Sequence, residues 1–317
     1  MSDNRGTAFQ SGPAVISPVG PEATEEVLAM IRAGFGSREV LDPPATALDE
    51  TSDSVREALA RHGGLLARSR DGEPVGALLF EPDGDALALR RVSVHPDAQG
   101  LGVARAMVQA AEQLAVDRGV PTVRVLVRAE LPRTVHFCQH LGYVETARDG
   151  VHLTMAREVP FEVTAATAED ARALGARLAP SLAGGDVVLV AGDLGAGKTT
   201  LAQGIGAGLG VRGQVTSPTF VISRVHPSLR GGPALVHVDA YRLGGPAELD
   251  DLDLDASLEE AVTVVEWGGG VAEGLSENRL EVTMVRSHGD ESGEERRVRF
   301  VPVGARWLGS GLLASLR

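Results

Sequence analysis

One cysteine, Cys138, occurs in 317 residues. No intrachain disulfide can form, and a thiolate zinc cluster is excluded. Aromatic residues make up only 3% of the chain, so its cores must be built mostly from Ala, Val and Leu. Positive charge is short as well: 30 Lys and Arg against 43 Asp and Glu leave a formal net charge of −13. A surface that acidic opposes tight binding to a bare phosphate backbone. If nucleic acid is part of the function, another protein holds it. No apolar run approaches the roughly 20 residues of a membrane span. The opening MSDNRGTAFQSGPAV has no apolar core of signal-peptide length. A cytoplasmic protein with no membrane partner is expected.

What is present fits two domains, since domains run to roughly 100–200 residues each. Residues 1–13 are polar, with Gly and Ser, and are read as a flexible N-terminus. Residues 14–158 mix helices and strands, and the second domain spans 161–317, with a very short junction at REVPFE. In the first domain, helical spacing marks 22–35, 54–63 and 133–143 and a long helix after residue 104; apolar strands are expected at 63–69, 74–82, 86–94, 121–130 and in VHLTMAREV. In the second domain, a helix capped by Thr167 precedes a strand, a glycine loop and another helix. Strands in ALVHVDAYRL, AVTVVEW, NRLEVTMV and RRVRFVPV follow, with an acidic helix at 248–260. The overall class is α/β: a mixed α+β domain followed by a P-loop α/β domain.

VSVHPDAQGLGVA places Gln99, Gly102 and Ala104 in a Gln-x-x-Gly-x-Ala turn between strand and helix. Small residues there let backbone N–H groups approach an anion at a helix N-terminus. With FCQHLGYVE at 137–145, this stretch resembles the GCN5-related N-acetyltransferases (GNAT) over about residues 14–158. That resemblance implies an acetyl-CoA site. Val92 and Val94 would flank the strand that pairs with the pantetheine arm, and Gln99, Gly100, Leu101, Gly102, Val103, Ala104 and Arg105 would line the pyrophosphate. Two departures stand against catalysis. The family's tyrosine, which protonates the departing thiolate, falls at Cys138, and Leu131-Pro132 replaces the usual Asn. Tyr143 is the only tyrosine of this half. Glu130, at a strand end near the expected site, is a candidate base or a plain solvated carboxylate. His136 and His140 are four apart on one helix, a metal-pair spacing with no third ligand in view.

GDLGAGKT at 192–199 matches Gly-x4-Gly-Lys-Thr in full, after an apolar strand and at a helix start. Gly192, Gly195, Ala196, Gly197, Lys198, Thr199 and Thr200 form the expected nucleotide loop. Lys198 is expected to reach the β and γ phosphates and Thr199 to ligate Mg²⁺. Asp239 ends an apolar strand, where a second carboxylate for the metal is expected. In VTSPTFVIS, Thr219 is the first candidate to close over the γ-phosphate and Ser217 the second; a plain turn around Pro218 is the alternative. Glu266, in VVEWGGG, is read as a Mg²⁺ ligand or as the group that orients the attacking water, and Trp267 beside it as a stacking residue or a half-buried strand end.

With GDLGAGKTT, SPTF, HVDAYRL and VEW in that order, residues 161–317 resemble TsaE, the bacterial ATPase family of tRNA threonylcarbamoyladenosine synthesis. The resemblance implies catalytic roles for Lys198, Asp239 and Glu266. It also implies two partner proteins, TsaB and TsaD, acting on adenosine 37 of tRNA, with tRNA touched only indirectly. The expected cofactors are ATP, Mg²⁺ and acetyl-CoA. Two rivals stay open: a P-loop small-molecule kinase, and an ATPase whose first domain senses acetyl-CoA without catalysis.

Overall fold

The computed structural model describes residues 9–11, 14–38, 41–217, 222–242, 259–268, 272–286 and 295–317. It divides into two compact units, Met1–Arg157 and Glu158–Arg317.

The first unit is an eight-stranded sheet with four α-helices among the described residues. Its elements run β1 (Phe9–Ser11), β2 (Ala14–Val19), α1 (Thr24–Gly36), α2 (Ser52–His62), β3 (Gly64–Arg68), β4 (Pro74–Asp83), β5 (Ala86–Val94), α3 (Val103–Asp117), β6 (Thr122–Arg128), α4 (Pro132–His140), β7 (Val144–Asp149) and β8 (His152–Glu158). The sheet order is β1-β2-β3-β4-β5-β6-β8-β7. Within the described part of the N-terminus, Phe9–Ser11 pair with Ala14–Ile16 as the edge of the sheet. The apolar stripes of α1 and α2 close on β3 and β4 in a core that holds Val27, Ile31, Val55, Leu59, Leu66 and Leu79.

Strand β5 leads into the glycine turn of this unit. Its parallel ladder with β6 joins Ala86–Leu89 to Thr122–Val125, while β5 itself runs on to Val94, paired on its other side with β4. Near the divergence the register with β4 shifts between Ala77 and Leu79, and Arg91 takes φ +56°. A bulge of this kind bends a strand and sharpens its twist. Ser93, wholly buried, ties the bulge by donating to the Arg91 carbonyl at 2.7 Å.

The second unit contains β9 (Phe161–Ala165), α5 (Ala168–Leu178), β10 (Val187–Gly192), α6 (Lys198–Leu209), β11 (Ser223–His226), β12 (Ala234–Asp239), β13 (Ala261–Glu266), β14 (Arg279–Arg286) and β15 (Arg296–Val303), then a short helix Leu312–Leu316. The sheet order is β11-β12-β13-β10-β14-β15-β9. Strands β12, β13, β10 and β14 are parallel, and β11, β15 and β9 add antiparallel edges. A strand inside a parallel sheet is covered on both faces and reads as an apolar run. Every residue of β13, AVTVVE, is buried, Glu266 included. Most of the acidic stretch 248–260 lies outside the described residues.

Helices α5 and α6 meet through glycines. A Cβ on Gly204 would stand 2.0 Å from the Arg172 carbonyl oxygen, and one on Gly175 would stand 2.3 Å from that of Leu201. These distances are far inside van der Waals contact, so the two backbones touch directly. Gly204→Ala gains about 1 kcal/mol of helix propensity but must push two helices apart, and overpacking of this kind costs roughly 1–3 kcal/mol, which matches or exceeds that gain. Both tryptophans, Trp267 and Trp307, lie in this unit, so a urea melt followed by tryptophan fluorescence reports it alone. The melt of Gly204→Ala should shift to lower urea, whereas Gly232→Ala, whose added Cβ would sit 3.8 Å from Ser228 Oγ, should leave the midpoint in place. An unchanged Gly204→Ala midpoint would refute the direct-contact account.

Candidate functional site

In the second unit β12 and β13 end level with Val190 of β10, two residues before that strand's own end. Val190 pairs with Glu266, and Glu266 with Asp239. The loop leaves β10 through Gly192 (φ +143°) and turns at Gly195 (φ +79°). It enters α6 from Gly197 (φ +103°), a left-handed N-cap with no side-chain cap. The loop needs glycine for steric as well as torsional reasons: a Cβ at Gly192 would lie 2.3 Å from the Met284 carbonyl oxygen, and one at Gly197 would lie 3.1 Å from Arg296 Nε. The first-turn amides of α6 therefore point, uncapped, into the loop, an arrangement that attracts anions.

Lys198 is buried, and its Nζ donates to the carbonyls of Gly192 and Asp193, both at 2.8 Å. The ammonium also lies 3.6 Å from the centroid of the Trp267 ring. Burial lowers the lysine pKa from its usual value, while Glu266, Asp239 and Asp193 oppose that shift. Trp267 itself has φ +61° and donates its backbone N–H to Val190 at 2.9 Å. Its ring also meets Tyr241, centroid to centroid at 5.1 Å.

Thr199 Oγ1 donates to Glu266 Oε2 at 2.9 Å. Strand β13 is the neighbour of the loop's own strand, so Glu266, rather than Asp239, bonds the threonine. Asp239 instead accepts from Ser217 Oγ at 2.8 Å and from the Tyr241 amide at 3.1 Å. Ala196 is buried beneath the loop, and Thr200 is half-buried in the first turn of α6. Thr219 lies outside the described residues. One neighbour went unnoticed in the sequence: His237, fully buried, has Nε2 2.8 Å from Glu266 Oε1. Its only sequence signal is a polar residue two before Asp239 on an apolar strand.

In the first unit, the turn Gln99–Gly102 follows β5. Gly100 (φ +77°) and Gly102 (φ +85°) are left-handed, and nothing lies within 4 Å of a Cβ built on either. Gly102 is the N-cap of α3 and provides no side-chain cap. Leu101 and Arg105 are exposed, Ala104 is half-buried and Val103 is buried. Val94 pairs with Gly76. The Val92 carbonyl accepts from Arg38 Nη2 at 3.3 Å, and that guanidinium stacks on Phe35 at 4.0 Å.

The proton donors of this half are constrained. Cys138 is buried, and burial pushes its thiol up to about 11. Tyr143 is also buried and donates to Glu112 Oε1 at 3.1 Å, with Arg157 Nη1 on the same oxygen at 3.2 Å. Burial and the Glu112 carboxylate raise its pKa well above that of a free phenol. Glu130 is held by Arg128 Nε at 2.8 Å, and Arg128 also donates to the carbonyls of Pro43 and Asp42. His136 and His140 touch each other, Nε2 to Nε2 at 2.8 Å. Among the described residues there is no cluster of three metal-ligating side chains, and no helix is long and apolar enough to cross a membrane.

Residues 165–298 match the family model Threonylcarbamoyl adenosine biosynthesis protein TsaE, and residues 33–143 match the Acetyltransferase (GNAT) family. Over 137 residues the chain is 61% identical to the tRNA threonylcarbamoyladenosine biosynthesis protein TsaE of Streptomyces coelicolor, a match covering 43% of this chain and 93% of that protein. The Bacillus subtilis protein of the same name is 37% identical over 140 residues, covering 44% of this chain and 84% of its own. A crystal structure of PaiA N-acetyltransferase from Thermoplasma acidophilum, in complex with coenzyme A, is similar to 45% of this chain and 97% of its own, at 15% identity and a TM-score of 0.41.

Because a thiolate, not a thiol, is the nucleophile, a thiol pushed to about 11 stays protonated at pH 8. The native chain should leave Ellman's reagent unreacted at pH 8 and release one thiol equivalent only in denaturant. Fast native labelling would show Cys138 to be open and acidic.

Proposed function

The chain belongs, through its second half, to the TsaE family, and on that premise we propose that this half hydrolyses ATP for an assembly that installs threonylcarbamoyl on adenosine 37 of tRNA. The observation that carries the reading is the bond from Thr199 Oγ1 to Glu266 Oε2 at 2.9 Å, beside an uncapped helix N-terminus. The loop amides of Gly195 to Thr200 cradle the phosphates of the substrate. Lys198, resting on two carbonyls of its own loop, swings from them to the β and γ phosphates. The donor set fits a hard cation, because a hydroxyl and carboxylates are oxygen ligands: Thr199, Asp239 and Glu266 would hold Mg²⁺, which when bound supplies charge neutralisation at the phosphates. Glu266 orients the attacking water. Ser217, already on Asp239, ties the intervening loop to the site. The relatives named for tRNA threonylcarbamoyladenosine biosynthesis support the pathway. TsaB and TsaD are the proposed partners, and the acidic surface suits a subunit that reaches tRNA through them. The expected compartment is the cytoplasm.

The first half is proposed to bind acetyl-CoA. Open left-handed glycines at 100 and 102 and the uncapped start of α3 suit a pyrophosphate, and the diverging ends of β5 and β6 suit an extended arm. Acetyl transfer to an amine is the first reading. A second has its own observation: Cys138 and Tyr143 are both buried, and the tyrosine is committed to Glu112. On that reading the half senses acetyl-CoA without turning it over. A kinase reading of the P-loop requires an acceptor; ADP formed without one counts against it.

Two substitutions test the ATPase. Lys198→Ala removes the loop's cation and should reduce ATP hydrolysis to background, with far-ultraviolet circular dichroism unchanged. Glu266→Gln should keep nucleotide affinity nearly intact and slow hydrolysis by roughly 10²–10⁴, the usual contribution of a positioned acid–base group. Undiminished ADP production by purified Lys198→Ala would refute the assignment.

A further inference from the structure

His237 has no role in the reaction as set out so far. It stands on β12 two residues before Asp239, within the run LVHVD whose other members are apolar or at the strand end. Its ladder partner on β13 is Val264, and Asp239 is the partner of Glu266. His237 and Glu266 are therefore diagonal neighbours on one face of the sheet, within reach of a long side chain. The imidazole is 0% exposed and its Nε2 is 2.8 Å from Glu266 Oε1. The other carboxylate oxygen, Oε2, accepts from Thr199 Oγ1 at 2.9 Å. Glu266 is thus held at both oxygens, by donors from two different elements.

The second ring nitrogen supplies an independent clue. His237 Nδ1 is buried and has no hydrogen-bond partner among the described residues. A carboxylate oxygen accepts, so in this contact Nε2 is the donor, and Nδ1 is left without a described partner. An apolar side chain of similar size would fill the space between Val236 and Val238 without stranding a nitrogen. Packing alone therefore does not account for a histidine here; a fixed donor aimed at Glu266 does.

We infer that His237 is a positioning residue for ATP hydrolysis: through Nε2 it donates to Oε1 of Glu266 and turns Oε2 toward Thr199 and the nucleotide loop. The inference rests on the reading of Glu266 as the group that acts on the bound nucleotide. Without the donor the carboxylate keeps only its Thr199 bond and can rotate away. Partners of this kind, one bond removed from the working group, typically carry 10–100-fold in activity or metal affinity.

The full-length chain, His237→Leu and His237→Gln test this with three readouts: ATP turnover in the presence of the tRNA-modification partners, affinity for a fluorescent ATP analogue, and long-range ¹H–¹⁵N spectra of the histidines. His237→Leu keeps the volume and loses the donor. His237→Gln returns an amide N–H close to the place of Nε2. The expected result is a kcat lower by about 10–100-fold in His237→Leu, with nucleotide affinity unchanged, and recovery of most of the rate in His237→Gln. The wild-type signal that both variants lack should be that of a ring protonated at Nε2, and it should shift in Glu266→Gln. Wild-type turnover in His237→Leu overturns the inference. So do equal losses in both variants accompanied by loss of nucleotide affinity and a lower melting temperature, which is the signature of a packing role. A ring with no proton on Nε2 overturns it as well. Should the wild-type chain hydrolyse no ATP with its partners, the ATPase reading fails by itself, and the spectra still decide whether the hydrogen bond exists.

Discussion

The second unit depends on one register. Three parallel strands bring Val190, Glu266 and Asp239 to the same height, where open α/β sheets bind their ligands, beyond the carboxyl ends of the strands. A slip of one residue would turn Glu266 into the opposite face, and with it the bonds to Thr199 and His237. The register is held by burial. Val188, Val190, Val262, Val264 and Val265 are at or below 1% exposure, and burying each such side chain is worth about 1.5–3 kcal/mol. The same apolar run that makes the strand also delivers a carboxylate into a buried position, where a charge persists only if it is paired and hydrogen-bonded. Thr199 and His237 meet that demand.

Both halves carry the same device, one whose free amides suit an anion. Helices α3 and α6 each start from a left-handed glycine, Gly102 or Gly197, with no side-chain cap. Two other helices are capped by side chains, α2 and α5, in the capping boxes of Thr51 and Thr167, while α1, α4 and the helix Leu312–Leu316 also lack a side-chain cap. The contrast is chemical. A capped terminus has spent its amides on a side chain, whereas an uncapped one keeps them for a ligand. The two sites differ in their remaining equipment. The second has a buried lysine and two carboxylates within one constellation. The first has a buried thiol, a committed tyrosine and a carboxylate paired with Arg128.

Much of this was legible in the residues. The glycine loop, the strands that follow it and the order β5, turn, α3 come directly from apolar runs bounded by glycine. Both cores are aliphatic, as a chain with 3% aromatics requires. Edge strands were harder to see: β1, β9 and β11 are three to five residues long and take their identity from a partner strand. So was the α5–α6 contact, because glycines at 175 and 204 resemble helix weaknesses until the neighbouring backbone fills their space. The link between Thr199 and Glu266 spans 67 positions, and only the strand order makes it a contact. His237 carried almost no signal, being a polar residue on a strand that already ended in a recognisable aspartate. Thr219, the first choice for the loop that closes over the phosphates, lies outside the described residues; Ser217, the second choice, bonds Asp239.

The central claim is that one chain carries two separate nucleotide-type sites, of which the second drives a tRNA-modifying assembly. A single reconstitution addresses it most directly: ADP and CoA release measured separately, with and without TsaB, TsaD and tRNA. The account predicts slow ADP release from the chain alone, faster release once the partner proteins are added, little change from tRNA by itself, and CoA release indifferent to the partners. Strong stimulation of ADP release by tRNA alone, or none by the partner proteins, would contradict it.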